Sequence, residues 1–127
     1  MGFFTSIIEF LARFFLSIVF IINALFKSTY LEETVDYMIS YDVPTILAIP
    51  TIILEIVFPL FIIVWYKTRT SASVLFIFCI ATAVIFHSDF SDQVQITSFL
   101  KNIAIAGGFL ILLINGPGQL SLDKKFN

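Results

Sequence analysis

The chain has 127 residues, of which 59% are hydrophobic and 13% charged, and its formal net charge is −2. Its mean hydropathy of +1.03 lies outside the usual range of soluble domains, which indicates an integral membrane protein with the lipid bilayer as its surroundings. The negative net charge, and a sequence without a Lys/Arg-rich patch, argue against nucleic acid as a partner.

Four apolar segments cover residues 4–27, 44–66, 70–88 and 97–115. Each is close to the ~20 residues that a helix needs to cross ~30 Å of hydrocarbon. The runs are long and continuous, whereas the strands of a membrane barrel would alternate over about 10 residues. We therefore predict an all-α fold, in which residues 1–127 form a single membrane domain with a bundle of four transmembrane helices.

The distribution of basic residues predicts the orientation of this bundle. Lys67 and Arg69 lie in the short loop between spans two and three, and Lys124 and Lys125 follow span four. The positive-inside rule places both regions in the cytoplasm, so both termini are predicted to be cytoplasmic.

The loop between spans one and two faces the other side in this prediction and is acidic. Its apolar residues recur at helical spacing with acids between them; they are Leu31, Val35, Met38 and Ile39. This pattern predicts a short amphipathic helix on the outer interface.

Two charged side chains lie deep inside the predicted spans. At ~1.5 Å per residue from the cytoplasmic side, Arg13 and Glu55 reach similar depths near the bilayer centre. Because a lone charge there costs roughly 2.5–3.5 kcal/mol on insertion scales, we predict an ion pair between them. Two interpretations stay open: the pair fixes helix register only, or Glu55 exchanges a proton or Arg13 holds an anionic headgroup.

A second polar layer is predicted nearer the outer face. The same rise per residue brings four residues to comparable depths: Asn23, His87, Lys101 and Asn102. Lys27 lies on the same face of span one as Arg13. Together with Lys27 they are predicted to line one outward-opening pocket. The alternatives are that the two lysines snorkel to the interface and that His87 is hydrogen-bonded at headgroup level without handling protons.

The chain has one cysteine, Cys79, and one histidine. It therefore contains neither an intramolecular disulfide nor a bis-His haem, and no zinc-ligand spacing is present. Gly107 and Gly108 in span four are predicted to serve helix packing.

The order of several short motifs resembles the DoxX family of small four-helix membrane proteins over almost the whole chain. They are Arg13 followed by "FIINALFKS", then "VDYMISYDVP", Glu55, "FH" at Phe86 and His87, "FLKNIAIAGG" and "GPGQLSLD". One departure is "NAL" at residues 23–25, where family members often carry a small residue and a glycine before the lysine.

The resemblance implies a bacterial or archaeal inner-membrane protein and, for some relatives, a part in thiol or thiosulfate to quinone oxidoreductases. A quinone headgroup would then bind among Lys27, His87, Lys101 and Asn102, with His87 as the proton donor. Electrons would come from a partner chain, because a lone cysteine cannot cycle as a dithiol.

Three functions remain open at this stage. The first is a quinone-linked redox subunit with His87 and Glu55 as catalytic residues. The second is a non-enzymatic module, such as an assembly factor or a binder of lipid or another small ligand, acting with a protein partner or as a homo-oligomer. The third is a small transporter or channel, for which one four-helix protomer leaves little room.

Overall fold

The computed structural model describes residues 2–64 and 66–116. Their helices are α1 (Gly2–Thr29), α2 (Leu31–Ser40), α3 (Ala48–Val64), α4 (Thr68–Phe86) and α5 (Gln93–Asn115). A 3₁₀ turn at Thr45–Leu47 leads into α3. Helices α1, α4 and α5, and α3 with its leading turn, are each long and apolar enough to cross a membrane. The prediction of an all-α fold with four spanning helices is confirmed.

The helix ends differ from the predicted spans by a few residues. Helix α5 begins at Gln93, four residues before the predicted start, because the Asp92 side chain accepts a hydrogen bond from the Val94 amide at 3.0 Å and caps the helix. The predicted stop after Asn115 is confirmed, with Gly116 at a φ of 72° that favours glycine. The motif from Pro117 onwards, and Lys124 and Lys125, lie outside the described residues.

The core lies where α1, α4 and α5 meet. The Phe20 ring of α1 lies 5.7 Å from that of Phe109 on α5 and 6.4 Å from that of Phe78 on α4, measured between ring centroids. Around this core α1 packs against α3, and α4 packs against both α3 and α5. Most large apolar side chains of the four long helices point outward, as Phe3, Phe15 and Ile114 do. This is the arrangement expected of helices whose outer surface contacts lipid rather than water.

The predicted short helix in the first loop is present as α2, and it packs across one end of the bundle. Met38 is buried there, and the Tyr37 ring stacks on the Phe86 ring of α4 at 5.3 Å. Asp42 follows α2 with a φ of 59°, which turns the chain toward α3. Helix α2 therefore closes the end of the bundle opposite to the connection between α3 and α4.

Candidate functional site

A cavity of about 360 Å³ lies beneath α2, among the ends of α1, α3 and α4. We call it the Lys27–Glu55 cavity. Its wall includes five of the seven predicted site residues: Asn23, Lys27, Glu55, His87 and Asn102. These five polar side chains come from four different helices or their ends, and the cavity brings them together.

An ion pair forms part of the cavity wall. Lys27 Nζ donates a hydrogen bond to Glu55 Oε1 at 2.7 Å. The Glu55 side chain is 3% exposed, whereas that of Lys27 is 33% exposed. The second carboxylate oxygen of Glu55, Oε2, is buried and has no hydrogen-bond partner. The pair therefore joins a deeply buried acceptor to a cation that reaches the cavity mouth.

The predicted ion pair between Arg13 and Glu55 is wrong, because the two helices are offset along the membrane normal. Arg13 lies level with Ile63, near the C-terminal end of α3. Glu55 lies eight residues, about 12 Å, closer to the N-terminal end of that helix. Lys27 lies beyond Glu55 in the same direction, and side chains on a helix point back toward its N-terminus. The lysine side chain can thus bend back to the carboxylate that Arg13 does not reach.

Arg13 instead binds one backbone carbonyl at the far end of α3 and one on its own helix, α1. It is 1% exposed, and its Nη1 donates to the Ile63 carbonyl at 2.7 Å while its Nε donates to the Glu9 carbonyl at 3.2 Å. The last carbonyls of a helix lack partners within the helix, and a cation is favourable there. Arg13 is not among the residues of the cavity wall.

Pro59 weakens α3 at the level of the ion pair. It lies inside the helix and is buried. Proline has no N–H, so it cannot donate to the carbonyl of Glu55, four residues earlier. The backbone beside the buried carboxylate therefore lacks one helical hydrogen bond.

Asn102 of α5 reaches the cavity through a hydrogen-bonded contact with α4. Its Nδ2 donates to Thr82 Oγ1 at 3.0 Å and lies 3.4 Å from the Cys79 carbonyl. The neighbouring Lys101 is exposed and is not part of the wall. Successive helical residues point ~100° apart, and on this part of α5 Asn102 faces the cavity while Lys101 faces away from it.

His87 lies directly after α4, on the cavity wall, and is half-buried. Its Nδ1 is 3.2 Å from Gln95 Oε1 on α5. A glutamine carbonyl oxygen only accepts, so this contact holds the tautomer with the proton on Nδ1 and leaves Nε2 as an acceptor.

Aromatic side chains form the apolar part of the wall. Lys27 Nζ lies 5.9 Å from the centre of the Phe78 ring, within the range of a cation–π contact. Tyr37 and Phe86 stack at the end nearest α2, where burial, followed by a hydrogen bond with Tyr41, raises the pKa of Tyr37 to about 12. An apolar wall with a few polar groups is typical of sites for small hydrophobic ligands.

Among the wall residues that the sequence reasoning missed are Tyr37, Thr82 and Phe78. Thr82 carried a usable signal, as a polar residue three positions after Cys79 in an apolar span. Tyr37 belongs to α2, which was predicted to lie on the membrane surface rather than over a pocket.

A family model described as DoxX matches residues 8–88. The chain belongs to the DoxX family. Two similar relatives come from Escherichia coli strain K12: the inner membrane protein YqjF, 39% identical over 91% of this chain and 89% of its own length, and the inner membrane protein YphA, 34% identical over 91% and 87%. No solved structure matches the chain significantly.

This DoxX protein is therefore a multi-pass protein of the inner membrane. The residues that match the DoxX model include Lys27, Glu55 and His87. Asn102 lies on α5, beyond the matched residues, although the relatives align over most of the chain. The DoxX match thus covers most of α1 and all of α2 to α4, and these helices contribute nearly all of the cavity wall.

Proposed function

We propose that this DoxX protein binds a quinone in the Lys27–Glu55 cavity and serves as the quinone-binding subunit of a thiol or sulfur oxidoreductase. The observation that carries the proposal is the Lys27–Glu55 ion pair in the wall of a cavity otherwise lined mainly by apolar and aromatic side chains. A quinone is chemically complementary to such a wall, because it has an apolar ring with a carbonyl oxygen at each end.

The wall supplies donors that suit these carbonyl oxygens. The ammonium group of Lys27 has three N–H donors, of which one is directed at Glu55. The side-chain amide of Asn23, also in the wall, provides further donors. The Phe78 and Phe86 rings offer flat surfaces against which a quinone ring can stack.

The same residues offer a route for protons. Glu55 has a buried oxygen without a partner, and His87 lies on the same wall with Nε2 available. Both side chains are of types that exchange protons with bound ligands. In our proposal Glu55 and His87 move the two protons that accompany quinone reduction.

The electrons come from a protein partner in this proposal. Two thiols of the partner form a disulfide and release two electrons and two protons, which convert one quinone to one quinol. This chain has a single cysteine, so the dithiol belongs to the partner. The basic residues Lys67 and Arg69 predict that the α3–α4 connection is cytoplasmic, and in this proposal the cavity lies towards the other side of the membrane.

Native mass spectrometry tests the proposal on protein extracted with its surrounding lipid. Wild type is expected to retain a quinone, and Lys27→Met and His87→Ala are expected to lose it. Lys101→Met is the matched control, since it also removes one lysine but lies outside the cavity wall. Retention of quinone by Lys27→Met, or loss of it in Lys101→Met to the same extent, would contradict the proposed site.

The mainly apolar wall also supports a second candidate function, a module that binds a lipid chain without redox chemistry. The same experiment separates the two. Phospholipid retained by wild type and lost in Phe78→Ala, with quinone in neither, would favour the lipid-binding module.

A further inference from the structure

We infer that the Lys27–Glu55 cavity binds the reduced, hydroxyl-bearing form of its ligand more tightly than the oxidised form. This inference rests on the proposed quinone binding. It goes beyond that proposal because it follows from the fixed orientation of one amide, Asn102, at the cavity wall.

The orientation of the Asn102 amide is determined by its two neighbours on α4. The Thr82 hydroxyl has one proton, and it lies 2.9 Å from the Phe78 carbonyl and 3.1 Å from the Cys79 carbonyl, so it donates to the backbone. Towards Asn102 the Thr82 oxygen can therefore only accept. The Cys79 carbonyl, 3.4 Å from Asn102 Nδ2, is also an acceptor.

Both neighbours thus require the NH₂ group of Asn102 to face α4. The opposite amide orientation would place Oδ1 against two acceptor oxygens and lose both contacts. The carbonyl oxygen Oδ1 is consequently left without a donor among the described residues, on a residue that lines the cavity. Asn102 presents an acceptor to the ligand, and Thr82 is the positioning residue that enforces it.

Glu55 strengthens the same preference. Its carboxylate is paired with Lys27 through Oε1, and its buried Oε2 has no donor. Both oxygens of an ionised carboxylate only accept hydrogen bonds, so Oε2 is an acceptor as well. Asn102 and Glu55 therefore each carry one acceptor oxygen without a donor, and a hydroxyl-bearing ligand has donors to offer.

A quinol meets these requirements better than a quinone. Each quinol hydroxyl can donate to Asn102 or Glu55 and still accept from Lys27. A quinone can accept from Lys27, but it carries no O–H and would set its own lone pairs against Asn102 Oδ1. A buried acceptor left without a donor weakens binding, so we expect about a tenfold tighter affinity for the quinol.

The test is to measure the affinities of decylubiquinol and decylubiquinone, without oxygen, for the purified full-length protein in lipid nanodiscs. The expected ratio is about ten in favour of the quinol, which corresponds to a rise of about 30 mV in the potential of the bound couple. Equal affinities, or tighter binding of the quinone, would overturn this inference while leaving the proposed function intact. Binding of neither form would overturn both.

Thr82→Val tests the cause of the preference. It keeps the shape of the side chain but removes the nearer of the two acceptors that orient Asn102. Only the Cys79 carbonyl at 3.4 Å then holds the amide, so the amide reverses more easily and the ratio should fall towards one. Thr97→Val is the matched control, because Thr97 is exposed on α5 and makes the same kind of backbone hydrogen bond, to the Gln93 carbonyl at 3.1 Å.

Asn102→Ala provides a second route to the same answer if Thr82→Val does not fold. It removes the acceptor itself, and it should weaken binding of the quinol while changing binding of the quinone little. A ratio that stays near ten in both Thr82→Val and Asn102→Ala would show that Asn102 does not set the preference.

Discussion

Lys27 Nζ lies 2.7 Å from Glu55 Oε1, and the two partners differ sharply in burial, at 33% and 3% side-chain exposure. The Lys27 side chain is partly exposed, whereas the Glu55 side chain is almost completely buried. Removal of Lys27 should therefore cost more stability than removal of Glu55, because it leaves the glutamate as a buried charge without a counter-ion.

Lys27→Met should destabilise the protein more than Glu55→Gln. We expect a loss of roughly 3 kcal/mol in the free energy of unfolding for Lys27→Met, since it strands the buried carboxylate. For Glu55→Gln we expect a loss of about 1 kcal/mol, since the lysine can turn to the interface. Unfolding in mixed micelles by SDS titration, followed by circular dichroism, measures both.

The double variant Lys27→Met/Glu55→Gln should lose less than the sum of the single losses, with a coupling of at least ~0.5 kcal/mol. Arg13→Leu/Glu55→Gln is the control, and its two losses should add. Coupling in the control, together with additivity in the Lys27 pair, would show that Glu55 pairs with Arg13 and not with Lys27.

Arg13 should prove to be a structural residue that stabilises the end of α3. Arg13→Leu leaves the half-buried Ile63 carbonyl without this 2.7 Å donor, so we expect a loss of about 2 kcal/mol in the free energy of unfolding. Arg13→Lys keeps the charge but not the forked geometry, and it should lie between wild type and Arg13→Leu. Calorimetry should find quinone affinity unchanged in folded Arg13→Lys; a large loss of affinity would instead place Arg13 in ligand binding.

The sequence predicted the four spanning helices and most of the polar residues around the cavity, since both follow from local composition. It did not predict which charges pair. The pairing depends on the axial offset between α1 and α3. Counting residues from assumed span ends did not predict this offset. Arg13 lies level with Ile63, and so Lys27 is the cation that reaches Glu55.

The rotation of α5 about its own axis was likewise not predictable from the sequence. Lys101 and Asn102 are adjacent, and their depth along the membrane is nearly the same. Depth alone predicted both in the pocket, whereas the structure places only Asn102 in the cavity wall, through its contact with Thr82. The facing helix decides such a choice, and the sequence of α5 alone does not contain that information.

The two adjacent glycines of α5 should respond differently to alanine. A Cβ added at Gly108 would lie 3.1 Å from Leu16 Cδ1 on α1, whereas one at Gly107 meets nothing within 4 Å. Gly107→Ala should be neutral or stabilising, by up to about 1 kcal/mol, because alanine favours the helix. Gly108→Ala should be less stable than Gly107→Ala by about 1 kcal/mol or more.

Leu16→Ala provides the control for this pair. It makes room beside Gly108, so it should reduce the cost of Gly108→Ala and leave Gly107→Ala unaffected. Equal effects of the two alanines in wild type would mean that α1 and α5 do not approach closely at Gly108.

The position of α2 over the cavity can be tested through the ionisation of Tyr37. Burial against Phe86, followed by the hydrogen bond with Tyr41, raises the pKa of Tyr37 to about 12, compared with about 10 for an unperturbed tyrosine. The neutral phenol is therefore the form that the docked helix favours. Its contribution to the docking of α2 is complete below pH ~10 and is lost as the pH rises through about 12.

Absorbance titration near 295 nm of wild type and Tyr37→Phe isolates this group by difference. We expect a difference curve with a midpoint close to pH 12. Tyr30→Phe is the control, because Tyr30 is exposed before α2 begins and does not line the cavity. A midpoint near 10 for Tyr37 would mean that its ring is not packed on Phe86, and hence that α2 does not close this end of the cavity.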